Sequence, residues 1–160
     1  MIKILFVCTG NICRSPTAHG ILRDRLIKTG LATRAVADSA ATHAYHVGEP
    51  PDKRSIATAK KHGIDISDLR ARQVAPADFA EANVIAAMED KHHRHLLGLC
   101  PPGLEGRIRP LMSFVPGSAR LNVPDPYSGD DSFDQVFAMI TAGVDGLLDH
   151  LRQTLLTDAG

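Results

Sequence analysis

Residues Ile2 to Val7 form an apolar run, and the chain changes character directly after it. Thr9 to Asn11 is turn-like. From Ser15 onward Ala18, Ile21, Leu22, Leu26 and Ile27 recur at helical spacing, with Pro16 in the first turn and Gly30 as the stop. This strand–turn–helix unit recurs along the chain. Ala35 to Ala40 reads as a second strand and Pro51 to His62 as a helix ending at Gly63. Asn83 to Met88 reads as a third strand, followed by a helix through Leu99 that Pro101, Pro102 and Gly103 break. Arg107 to Met112 supplies a fourth strand. A last helix begins at Asp131 and carries Phe133, Val136, Phe137, Ile140, Val144, Leu147, Leu148 and Leu151 on one wide face. Strands that alternate with helices pair in parallel through right-handed crossovers. The expected fold is therefore α/β: a single three-layer domain, residues 1–160, with a four-stranded parallel twisted sheet flanked by helices on both faces.

Composition agrees with one sizeable core and narrows the partners. Of 160 residues 44% are hydrophobic and 22% charged, and Lys plus Arg equals Asp plus Glu at 18 each. Nucleic-acid binding draws on a basic surplus, so no nucleic-acid partner is expected. No run reaches the roughly 20 apolar residues that span a bilayer, and the start lacks the apolar region and cleavage site of a signal peptide. Cys8, Cys13 and Cys100 form no paired framework, which suits a reducing compartment. The expectation is a cytoplasmic protein with no membrane partner.

The chemistry concentrates in Cys8-Thr9-Gly10-Asn11-Ile12-Cys13-Arg14-Ser15-Pro16, between the first strand and the first helix. Ligands of open α/β sheets bind beyond the carboxyl ends of the strands, where this loop sits. Its amides can curl around an anion at the positive end of the helix. A thiol facing that field is favoured as thiolate, the nucleophilic form. Five residues separate Cys8 from Arg14, enough for the chain to loop and bring both to one phosphate, which the planar guanidinium grips with two donors. The Ser15 hydroxyl can donate to the sulfur as it leaves. Gly10 allows a tight turn, and Asn11 tolerates a left-handed backbone. A buried strand-end cysteine is the bland alternative, and the joint presence of glycine, arginine and helix start weighs against it.

This loop resembles the signature of the low-molecular-weight protein tyrosine phosphatase family, Cys-x-Gly-Asn-x-Cys-Arg-Ser-Pro. The resemblance continues through Asp38 to Thr42, Gly48 to Arg54, His62-Gly63-Ile64, Arg70 to Gln73, Ile85 to Met88 and Asp125-Pro126-Tyr127. It implies hydrolysis of phosphotyrosine and aryl phosphates through a phosphocysteine, without cofactor or metal. Cys8 is then the nucleophile and Arg14 the phosphate and transition-state ligand. Asp125 is the general acid and base, held extended by Pro126. Thr9, Gly10, Asn11, Ile12, Cys13 and Ser15 complete the phosphate-binding loop. Tyr45 and Tyr127 wall the cleft around a phenyl ring, and Ser39 belongs to the network that holds Asn11. Cys13 is a resolving thiol for oxidised Cys8. The partner is a phosphotyrosine protein or a small aryl phosphate, and the chain acts as a monomer or weak homodimer.

Three departures from the family pattern stand out: Ser128 where a second aromatic is common, Leu69 in place of a histidine, and Glu89 where Asp follows Met. None is expected to touch the chemistry. His92, His93 and His95 lack the spacing of a helical zinc motif and read as a solvated helix face. Asp130 and Asp131 read as helix-start charges. Two rivals remain: an arsenate reductase, which needs a downstream cysteine pair where only Cys100 exists, and a phosphotyrosine-binding module, which needs neither Cys8 nor Asp125.

Overall fold

The computed structural model describes residues 1–127 and 132–157. Four strands, β1 (Ile2–Cys8), β2 (Ala35–Ala41), β3 (Val84–Ala87) and β4 (Ile108–Pro110), pair in parallel in the order β2-β1-β3-β4. The helices are α1 (Arg14–Lys28), α2 (Lys53–Lys61), α3 (Pro76–Glu81), α4 (Asp90–Leu99) and α5 (Phe133–Thr154).

Alternation along β1 builds the three layers. Ile4, Phe6 and Cys8 join the larger core with Ile21 and Leu22 of α1, Ala59 of α2 and Val144 and Leu147 of α5. Leu5 and Val7 face the other way, against Phe79 of α3 and Leu96 of α4. A strand buried on both faces needs a continuous apolar run, which explains Ile2 to Val7. The four-stranded parallel sheet with helices on both faces is as expected.

Boundaries differ locally. The helix expected from Pro51 starts at Lys53, because Asp52 caps it by accepting from the Arg54 N–H at 2.8 Å. The fourth strand is only three residues long and runs directly into a short 3-10 turn, Leu111–Phe114. Helix α3 had no counterpart in the sequence reading, since six residues carry too little periodicity to register. The last helix opens on Ser132, whose side chain accepts from the Gln135 N–H. Asp130, Asp131 and Ser128 lie outside the described residues.

Sheet order fixes where a ligand can sit. From β1 the chain passes to β2 on one side, and β3 lies on the other, so the carboxyl end of β1 is the switch point of the sheet. The segment after β1 is the cysteine loop.

Candidate active site

Four carbonyls of the loop are already engaged. Cys8 O accepts from the Thr42 N–H, Thr9 O from His43, Ile12 O from Asp52 and Cys13 O from Thr17. Among the described residues no acceptor meets the amides of residues 10–13. These donors, at the start of α1, are left for an anion. Asn11 takes φ 58°, a left-handed turn that its short polar side chain tolerates. Its Nδ2 donates to Ser15 Oγ at 2.7 Å, and its Oδ1 accepts from the Arg72 N–H at 3.1 Å. Ser15 Oγ lies 3.0 Å from Cys8 Sγ, so one hydrogen-bonded chain runs from Arg72 to the sulfur.

Gly10 also leaves room for a neighbouring ring. Its φ is not positive, but a Cβ there would meet the His46 ring at 2.9 Å. His46 and the loop share an open cleft of about 200 Å³, lined also by Cys8, Arg14, Tyr45, Asp125 and Tyr127.

Arg14 is 2% exposed, and among the described residues only one corner of its guanidinium is hydrogen-bonded to protein. Nη1 pairs with Glu89 Oε1 and donates to Val123 O at 2.9 Å, while Nη2 lies 3.7 Å from Asp125 Oδ2. Nε is buried with no protein partner among the described residues. Glu89 thus corrects the expectation that this departure avoids the chemistry. It caps α4 and grips the arginine. Asp125 Oδ1 accepts from the Tyr127 N–H at 3.0 Å, which ties the acid and the wall residue into one turn. The Tyr127 ring lies over the Arg54 guanidinium at 5.3 Å, and Tyr45 stacks on His43 at 5.1 Å.

Two further expectations need correction. Ser39 does not reach Asn11; its hydroxyl meets His19 Nδ1 at 2.9 Å, and the Arg72 N–H has the assigned place. Arg72 can serve because Asp38 and Asp78 hold its side chain and the bridge between Ala41 and Gln73 fixes its backbone. His92 is not on a solvated face. It is buried, with Nε2 2.7 Å from Thr9 Oγ1, whereas His93 turns to Ile108 O and His95 to His43. The three rings therefore diverge. Burial, and then the Arg14 charge, lower His92 to about 3. Burial likewise lowers His19 to about 4 and pushes the Cys13 thiol up to about 12. Cys100 caps the far end of α4 and does not line the cleft.

A thiol above an amide-lined cradle, with a buried arginine and a carboxylate beside it, defines a cysteine-dependent phosphate-ester hydrolase. Residues 3–156 match the family model described as low molecular weight phosphotyrosine protein phosphatase. The low molecular weight protein-tyrosine-phosphatase of Streptomyces coelicolor is 39% identical over 155 residues, covering 94% of each chain. The human low molecular weight phosphotyrosine protein phosphatase is 38% identical over 142 residues, 84% of this chain and 86% of that one. The crystal structure of YfkJ from Bacillus subtilis superposes with a TM-score of 0.92 at 35% identity, covering 96% of both chains. The chain belongs to the low-molecular-weight protein-tyrosine phosphatase family, whose general mechanism runs through a phosphocysteine. It is a protein-tyrosine phosphatase.

Proposed function

We propose that Cys8 attacks the phosphorus of a phosphotyrosine side chain or small aryl phosphate, displacing the phenolate as the S–P bond forms. Asp125 gives the leaving oxygen its proton, then takes one from the water that cleaves the phosphocysteine. The amides of Thr9 to Ser15 and the Arg14 guanidinium, including its unpartnered Nε, hold the equatorial oxygens through both steps. The Ser15 hydroxyl steadies the sulfur as thiolate on departure. Tyr45 and Tyr127 flank the aryl ring, and His46, which sequence reasoning missed, lines the same cleft. Asn11 holds the loop in shape.

One observation carries this reading: Cys8 Sγ sits 3.0 Å from the Ser15 hydroxyl in the same cleft as Arg14 and Asp125. The thiol, the loop donors and the acid suffice for the chemistry, so the reaction is read as needing no cofactor. The whole chain is read as one phosphatase domain, acting in the cytoplasm as a monomer or weak homodimer, with no nucleic-acid or membrane partner. Balanced charge speaks against a nucleic-acid partner, and among the described residues no helix is long and apolar enough to cross a membrane.

The test is a series of aryl phosphates. Cys8→Ser should abolish turnover while still binding inorganic phosphate. Asp125→Asn should slow hydrolysis by roughly 10²–10⁴-fold for phosphotyrosine. That defect should shrink for nitrophenyl phosphate, whose phenol leaves without a proton. An equal defect across the series would remove Asp125 from the mechanism, and phosphate trapped on a histidine would remove Cys8.

A further inference from the structure

Where α4 meets the phosphate loop, the buried His92 touches the half-buried Thr9 in a side-chain contact that the mechanism above does not use. His92 stands in the first turn of α4, and its Nδ1 accepts from the Glu89 N–H at 3.1 Å. A neutral imidazole whose Nδ1 accepts must carry its proton on Nε2. That nitrogen lies 2.7 Å from Thr9 Oγ1, so the ring donates and the threonine oxygen accepts. A hydroxyl has one proton to give, and accepting from His92 leaves that proton unspent. No other side-chain hydrogen bond involves Thr9 Oγ1 among the described residues. Thr9 follows the nucleophile directly and lines the same cleft as Cys8 and Arg14.

We propose that the Thr9 hydroxyl is a further phosphate-binding donor, and that His92 is the positioning residue that orients it. The inference rests on the site assignment proposed above and adds a side-chain donor to the amides of the loop. Protonation does not disturb the arrangement in the neutral range, because burial and Arg14 keep the ring uncharged. The same Glu89 whose carboxylate grips Arg14 fixes the ring tautomer through its amide, so one residue orients both side-chain donors.

The experiment is competitive inhibition of aryl-phosphate hydrolysis by inorganic phosphate. A hydrogen bond to a charged oxygen is worth about tenfold to a hundredfold in affinity. Thr9→Val keeps the side-chain shape and removes the hydroxyl, so its Ki for phosphate should rise by about tenfold or more with Tm unchanged. Thr9→Ser should restore the wild-type Ki. His92→Leu should raise Ki as Thr9→Val does, and the double variant should be no worse than either single one, because the two act through one bond. A wild-type Ki in Thr9→Val, or single effects that add, overturns the inference. A role confined to folding would lower Tm and the active fraction without moving Ki. Should His92→Leu fail to fold, the contrast between Thr9→Val and Thr9→Ser decides alone. Wild-type protein that neither hydrolyses aryl phosphate nor binds phosphate would sink the site assignment itself, whereas a normal wild type with an unaltered Thr9→Val sinks only the threonine.

Discussion

Arg14 carries a charge where almost no water reaches, and Glu89 makes that position tolerable. A buried guanidinium needs a counter-charge and filled donors, and Glu89 supplies the first while Val123 O fills part of the second. Glu89→Gln keeps the shape and removes the charge, so the arginine loses its fixed aim. We expect kcat for an aryl phosphate to fall by roughly 10–10²-fold, since small misplacements of a transition-state ligand are costly. An unchanged kcat would show that Val123 O and Asp125 alone suffice. Cys13 gives a second prediction. If oxidised Cys8 is rescued as a disulfide, the Cys13 thiolate must displace hydroxide from the Cys8 sulfenic acid. With that thiol pushed up to about 12, the thiolate fraction rises tenfold per pH unit. Thiol-recoverable activity after peroxide should therefore grow steeply from pH 6.5 to 8.5 and vanish in Cys13→Ser; a flat profile would exclude Cys13 as the attacking group. The sequence exposed the loop residues because their chemistry is local and contiguous. It hid Glu89 and His92, which lie 75 and 83 positions from their partners and look like ordinary polar helix residues.

Helix α5 packs its apolar face into the larger core, and that wide face was readable because eight apolar residues repeat at helical spacing. What the repeat does not reveal is how closely the helix approaches its support. A Cβ on Gly146 would stand 2.2 Å from Phe114 O, so α5 rests backbone against backbone on the turn after β4. Backbone cannot swing aside as a flexible side chain can. Gly146→Ala should therefore lower Tm by roughly 5–10 °C, the effect of an overpacking cost of about 2–3 kcal/mol in a chain of this size. A Tm equal to wild type would mean the helix can slide without cost. The short α3 was illegible for the opposite reason: six residues hold no repeat, and its one buried apolar side chain, Phe79, packs into the second core. Strand β4 was read as a strand, but Arg107 to Met112 overran the three residues that pair. Ser39 was misplaced because its position within β2 fixes a neighbourhood without fixing which neighbour its hydroxyl meets.

The whole molecule should be acid-sensitive in a particular window. His19 and His92 are held neutral in the folded state, at about 4 and about 3, against an ordinary value of 6.5. Below pH 6.5 the unfolded chain takes up protons that the folded chain refuses, so stability is intact above 6.5 and falls as pH drops toward 4. The loss is on the order of a few kcal/mol. Urea unfolding at pH 7.5 and 5.0 measures it, and His19→Gln should flatten the slope; a wild type equally stable at both values would contradict the assignment. Asp52 and Asp68 do not contribute to this slope, since Arg54 and Arg23 hold their carboxyls below the ordinary range. A last consequence follows from where the supports of the cysteine loop come from. Residues 72, 89, 92, 123 and 125 all brace or face a segment that ends at residue 15. During synthesis, Cys8 emerges first and its supports last. On the mechanism proposed above, the nascent chain therefore carries Cys8 without the groups that would hold its loop and its phosphate until residue 125 has left the ribosome.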